Sequence, residues 1–190
     1  MMFTENTVKT KLIMVDMDGT LVFTSRANYM AYKAALLNVG FKMTFKDWEN
    51  SCEGKVYTDF LPEFVGFNDI LIEQVHKDKV SLYPKFMKHI TLNENLVELL
   101  KTLKINYYLA LVTTASKKSV TEILDLFNLR ELFDLIITQD DVERMKPAPD
   151  CYNIAIEKFG LKPENCIIFE DSKAGIMAAK ASGASVFAVV

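Results

Sequence analysis

The sequence has 190 residues, half of them apolar and 11% aromatic; that length fits one domain, or one domain with an insertion, and the composition excludes a mainly disordered chain. With 22 basic and 25 acidic residues the net charge is −3, so no basic excess points to nucleic acid or to an anionic membrane surface. Cys52, Cys151 and Cys166 are odd in number and lack metal-like spacing, which argues against a disulfide framework and for a reducing compartment.

The N-terminal stretch MMFTENTVKTK is polar and does not read as a secretory signal. No apolar run approaches the roughly 20 residues of a membrane helix. The expectation is a soluble cytoplasmic protein.

In chain order, the first strand is predicted over residues 11–15 (KLIMV), stopping abruptly at Asp16. From about Val22 to Ile90 no convincing strand follows. Residues 25–39 read as a helix with Tyr29, Tyr32, Leu36 and Val39 on one side and Gly40 ending it. Thr44 and Asp47 form a capping-box pair, and residues 68–80 are a further helix. Tyr29, Tyr32 and Trp48 are expected to pack within this helical stretch, and His76 and His89 to be structural or exposed.

Strand and helix then alternate. Leu96, Leu99, Leu100 and Leu103 mark one helix, and residues 107–112 a strand that stops at Thr113 and Thr114. Val120, Ile123, Leu124 and Phe127 mark a second helix, capped by Ser116. A strand over 133–137 leads through Lys146 to a helix from Pro149 to Gly160, with Tyr152, Ala155, Ile156 and Phe159 on its apolar face. A strand over 166–169 ends at Glu170 and Asp171. A helix over 172–182 and a strand over 185–190 close the chain. Short apolar runs alternating with amphipathic helices predict an α/β fold: a Rossmann-like parallel sheet between two helical layers. The 65–70 helical residues after the first strand, too many for a crossover, predict an inserted helical cap. The expected division is a core of 1–21 and 91–190 and a cap of 22–90.

In an open parallel sheet, ligands bind outside the C-terminal ends of the strands. Asp16, Asp18, Thr113, Thr114, Glu170 and Asp171 should therefore converge there, joined by Lys146. Close carboxylates repel and call for a cation. An all-oxygen site with few protein ligands suits Mg²⁺, while Zn²⁺ is disfavoured because neither His76 nor His89 lies near these residues. Lys146, the hydroxyls and the amides of the helix beginning near Ser116 suit phosphate oxygens. The charges suggest Asp16 as a nucleophile attacking phosphorus and Asp18 as the acid and base.

Asp16-Met-Asp-Gly-Thr20 resembles the first motif of the haloacid dehalogenase superfamily. Thr113, with Thr114 one residue on as the alternative, resembles the second, Lys146-Pro-Ala-Pro149 the third and Glu170-Asp171 the fourth. The run EDSKAGIMAA from Glu170, with Gly183 after it, is similar to the β-phosphoglucomutase and phosphoglycolate phosphatase branch, in which a helical cap follows the first motif.

The resemblance implies a Mg²⁺-dependent phosphatase acting on a small phosphorylated metabolite through an aspartyl-phosphate. It implies Asp16 as nucleophile and metal ligand, Asp18 as acid/base with its carbonyl on the metal, Asp171 as a metal ligand and Glu170 as a direct or indirect metal partner. Dehalogenases of the family need no acid at the position of Asp18. In the cap, Arg26, Asn28, Gly54 and Lys55 are candidate substrate contacts, set against a solvated helix face and an ordinary turn. A β-phosphoglucomutase-type mutase shares the core motifs and the Ala115-Ser-Lys117 run, but its cap histidine is replaced by Asn28 here. A receiver-type domain has its acidic pair in a different order, and a non-catalytic binding protein would not need the full acidic set. A monomer or weak dimer without nucleic-acid or membrane partners is expected. Chains of the resembled branch usually continue past the last strand with another short strand and helix, which raises the question of whether the sheet edge at Val190 is complete.

Overall fold

A computed structural model describes residues 9–189; residues 1–8 of the polar N-terminal stretch and Val190 of the last apolar run lie outside the described residues. The chain forms two compact units. One holds the chain up to Val22 and from Leu92 onward, the other Phe23–Thr91.

The first element among the described residues is strand β1 (Leu12–Val15), all four side chains buried. After the short strand β2 (Val22–Phe23) come helices α1 (Ser25–Asn38), α2 (Phe45–Asp47), α3 (Tyr57–Phe60), α4 (Pro62–Val65) and α5 (Asp69–Leu82). Strand β3 (Thr91–Leu92) leads to α6 (Glu94–Leu103), β4 (Tyr108–Val112), α7 (Lys117–Leu126), β5 (Leu135–Ile137), α8 (Asp150–Lys158), β6 (Cys166–Glu170), α9 (Lys173–Ala181) and β7 (Ser185–Ala188).

Strands β5-β4-β1-β6-β7 form one sheet in that order, and every pair in it is parallel. The fold is therefore α/β with a Rossmann-like parallel sheet. Near-continuous apolar strands suit it, because helices cover both faces of such a sheet. Leu12, Met14, Ala110, Val112 and Ile168 pack with Tyr152, Ala155 and Ile156 of α8 in one core cluster. Each large apolar side chain so buried contributes about 1.5–3 kcal/mol.

Several local details differ from the sequence expectation. On α6 the buried residues are Leu96, Val97 and Leu100, while Leu99 is 44% exposed; the stripe is centred on Leu96 and Leu100, which leaves Leu99 on its flank. Strand β5 begins only at Leu135. Before it, Arg130–Leu132 form a 3₁₀ turn, and the Asp134 carboxylate accepts from the Leu109 amide at 2.9 Å. The stretch expected to lack strands opens with β2, two residues long, and β3, also two residues, follows directly after that stretch.

In the helical unit the capping box forms as expected. The Thr44 amide donates to Asp47 Oδ2 at 2.7 Å and the Asp47 amide to Thr44 Oγ1 at 3.2 Å. The helix then continues as a π-helical turn over Trp48–Cys52. Tyr32, Trp48 and Phe60 pack around one another with ring centroids 5.0–5.9 Å apart, within an apolar cluster that includes Tyr29, Leu36, Leu61 and Val75. Trp48 Nε1 donates to Ser25 Oγ at 2.9 Å, so its one polar atom is satisfied.

Candidate active site

Strand register builds the site. Val15 of β1 lies opposite Leu111 of β4 on one side and Phe169 of β6 on the other. The next residue of each strand is thus Asp16, Val112 and Glu170, side by side at the C-terminal edge. The Asp16 amide donates to the Phe169 carbonyl at 3.0 Å, which continues the ladder one step beyond β1. The strand order runs one way from β1 through β4 to β5 and the other way from β6 to β7, so it reverses between β1 and β6, and a crevice opens at such a switch point.

Lys146 enters this edge from the segment after β5. Its ammonium donates to Asp16 Oδ1 at 2.6 Å, Glu170 Oε1 at 2.7 Å and the Val112 carbonyl at 3.1 Å. Three acceptors match the three donors of an ammonium. Its side chain is 4% exposed, and those of Asp16 and Glu170 are 10% and 1%. Burial alone would pull the lysine down, yet Asp16, Tyr152 and Glu170 outweigh it and hold Lys146 above its ordinary value. Burial pushes the Asp16 carboxyl above its ordinary value; Lys146 works against that shift, while Glu170 and Asp18 add to it.

Glu170 is held from all sides. Oε1 accepts from Lys146 and, at 3.3 Å, from the Tyr152 hydroxyl. Oε2 accepts from the Ser172 amide at 2.8 Å and the Ser172 hydroxyl at 3.1 Å. Burial raises the Tyr152 phenol well above its ordinary value, so it stays a proton donor. The adjacent Asp171 accepts from Thr20 Oγ1 at 2.8 Å. Burial is the main cause raising Asp171, and the Thr20 bond opposes it. Gly19 has φ +87°, and a Cβ built on it would lie 2.1 Å from Asp171 Oδ2. The turn therefore needs glycine for its backbone and for the space that Asp171 fills.

One oxygen each of Asp16, Glu170 and Asp171 lie within 4.8 Å of one another. The donors are all oxygens, and three carboxylates outnumber the single ammonium beside them. Such a set fits a small hard divalent cation.

Asp18 is exposed, two residues beyond Asp16, and its side chain is not part of that cluster of carboxylates. Thr113 is buried and its Oγ1 accepts from the Ala115 amide at 3.1 Å, which leaves its hydroxyl proton to be donated. Thr114 is exposed. The start of α7 is less open to an anion than the sequence suggests: the Lys117 amide donates to Asp140 Oδ2 at 3.0 Å and the Ser119 amide to Ser116 Oγ at 3.3 Å.

The remaining sequence candidates belong to the helical unit. Asn28 Nδ2 donates to Thr24 Oγ1 at 3.2 Å on the first turn of α1. Arg26 is exposed and lies over the Phe45 ring, 5.0 Å from its centroid. It lines a groove of about 350 Å³ with Tyr29, Lys33, Phe45 and Phe86. Gly54 and Lys55 are exposed in the turn after Cys52, where the Lys55 amide donates to the Cys52 carbonyl. His76 also lies here, with Nδ1 3.1 Å from the Tyr32 hydroxyl.

Four site residues were not marked by the sequence. Thr20, Ser172 and Gly175 stood inside the quoted motif runs without a role of their own, and Tyr152 on an apolar stripe. Only Ser172 carried a signal, since a hydroxyl two residues after a strand-end carboxylate is placed to bond it.

The comparisons with known proteins agree with this geometry. The profile of haloacid dehalogenase-like hydrolases matches residues 13–189. The chain is 29% identical over 177 residues to the phosphorylated carbohydrates phosphatase of Thermotoga maritima, covering 90% of this chain and 81% of that protein. It is 30% identical over 186 residues to the pyrophosphatase PpaX of Halalkalibacterium halodurans, covering 90% and 79%. A solved Thermotoga maritima structure, described as a candidate β-phosphoglucomutase, superposes with a TM-score of 0.78 at 27% identity, covering 95% and 85%. The chain belongs to the haloacid dehalogenase-like hydrolases.

Proposed function

We propose that the protein is a Mg²⁺-dependent phosphatase of a small phosphorylated metabolite: a sugar phosphate, phosphoglycolate or a nucleotide monophosphate. The observation that carries this reading is the contact of Lys146 with both Asp16 and Glu170 at the strand ends. A carboxylate at the central strand end, a fixed cation and an acidic cluster in one hydrogen-bonded group support this chemistry. The phosphatase name of the Thermotoga maritima relative supports the same class of substrate.

Asp16, Glu170 and Asp171, with the carbonyl of Asp18, would hold Mg²⁺, which when bound would offset the negative charge of the phosphoryl group and the carboxylates. Asp16 attacks phosphorus. A new bond from its carboxylate oxygen forms as the ester P–O bond breaks, and Asp18 gives its proton to the departing alcohol oxygen. Asp18, now a carboxylate, takes a proton from water. That water attacks phosphorus, the aspartyl P–O bond breaks, and inorganic phosphate leaves with Asp16 restored. Lys146 holds the Asp16 carboxylate in place and, with Thr113, binds phosphoryl oxygens.

A screen of phosphorylated metabolites with Mg²⁺ tests the reading. Inorganic phosphate is expected without any bisphosphate activator, and Asp16→Asn is expected to abolish its release while the circular dichroism spectrum stays unchanged. Hexose phosphate interconversion that requires a bisphosphate would instead mark a mutase. Full activity of Asp16→Asn would remove the nucleophile.

A further inference from the structure

Among the buried polar groups beside the site that the reaction steps leave unused is the Tyr152 phenol. Tyr152 is fully buried in the third helical position after Pro149, on the stripe it shares with Ala155 and Ile156. Phenylalanine would fill that space equally well. A phenol there carries a desolvation cost unless its hydroxyl finds a partner. The partner is Glu170 Oε1, at 3.3 Å, the oxygen that also receives the Lys146 ammonium at 2.7 Å. The Tyr152 ring faces that same ammonium, 5.0 Å from centroid to Nζ. One side chain thus meets both members of the buried ion pair, the anion through its hydroxyl and the cation through its ring.

We infer that Tyr152 is a positioning residue that keeps Lys146 aimed at the phosphoryl group. A lysine ammonium is a point charge on a flexible stem and has no geometry of its own. In the structure it is fixed by Asp16, Glu170, the Val112 carbonyl and the Tyr152 ring. Once Asp16 is bonded to phosphorus it has lost its carboxylate charge and much of its hold on Lys146. The anchors that persist are Val112, the Tyr152 ring and Glu170, and Tyr152 orients Glu170 as well. Ring and hydroxyl act together, so the role extends over both halves of the reaction.

This inference rests on the phosphatase reading, and the test separates the two. Tyr152→Phe keeps the ring and removes only the hydroxyl. Binding of inorganic phosphate in the presence of Mg²⁺ is measured by calorimetry, and kcat and KM are measured on the best substrate. Phosphate affinity and kcat/KM are both expected to fall about tenfold, as for loss of a hydrogen bond to a buried charge. In a Glu170→Gln background the same change should add less than twofold, since Tyr152 acts through Glu170. Unchanged phosphate affinity in Tyr152→Phe overturns the role, whether or not kcat falls, because a structural defect lowers only the active fraction. Full additivity with Glu170→Gln overturns it too. If the wild type releases phosphate from no ester, the functional reading fails instead.

Discussion

Gly175 and Glu170 share one space: a Cβ built on Gly175 would lie 1.6 Å from Glu170 Oε1. The glycine is buried in the first turn of α9, where its amide donates to Ser172 Oγ at 3.0 Å. The tip of a free glutamate could swing aside cheaply. This one is held by Lys146, Tyr152 and Ser172. Gly175→Ala is therefore expected to displace the carboxylate from these donors and lower kcat/KM about tenfold or more. Steady-state kinetics beside a melting curve checks this, and wild-type kinetics would show that Glu170 can move without consequence.

Lys146 neutralises two buried carboxylates. Lys146→Met preserves most of the apolar stem but leaves Asp16 and Glu170 facing each other without the cation. Removing one partner of a buried ion pair costs about 3–5 kcal/mol. Denaturant unfolding in metal-free buffer should show a loss of that size. A loss below about 1 kcal/mol, the range of exposed pairs, would mean the cluster is solvated.

The acidic cluster should bind Mg²⁺ with the protein at rest. Mg²⁺ at a hundredfold excess over Kd is expected to raise stability by about 2.7 kcal/mol. A chelator should remove both the thermal shift and the activity, and Mg²⁺ should restore them. Asp171→Asn is expected to weaken the thermal response at least tenfold in Mg²⁺ concentration. An unaltered response would place the ion elsewhere.

Thr113 and Thr114 are neighbours in opposite surroundings, one buried and oriented by the Ala115 amide, the other exposed. Thr113→Val is expected to raise KM about tenfold through loss of one hydrogen bond to an anionic substrate. Thr114→Val should stay within about twofold. Measured KM values in the reverse order would exchange the two roles.

The helical unit should carry a pH dependence at His76. Burial lowers its pKa below the ordinary value, Lys79 adds to that shift, and Glu73 opposes it. The Tyr32 hydroxyl faces Nδ1 at 3.1 Å and the Tyr57 ring stacks on the imidazole at 3.8 Å. Burial holds Tyr32 protonated, so it donates to a neutral imidazole. The unfolded chain then binds the proton more readily than the folded one. This contribution to stability is present above pH 6.5, the ordinary value, and is lost as pH falls through the lowered folded value. Melting temperatures between pH 7.5 and 5 should fall in the wild type and fall less in His76→Gln. Parallel curves would remove His76 as the cause.

The strand endings Asp16, Thr113 and Glu170 were legible in the sequence because each follows an apolar run that only a buried strand explains. The alternation of strands and helices likewise pointed to the parallel sheet. These signals are local: they depend on the period of side chains along one segment. The network that organises the site is not local. Lys146 and Asp16 are 130 residues apart, and Thr20 and Asp171 are 151 apart. Tyr152 and Gly175 lie on helices whose periodicity an apolar residue or alanine would serve as well, so no pattern set them apart. Leu99 shows the converse, an apolar residue at helical spacing that turns outward. Sequence determined which elements form and which chemical groups stand at their ends. Tertiary structure alone decided which donor meets which acceptor, because strand register and helix packing set those distances to within a few tenths of an ångström.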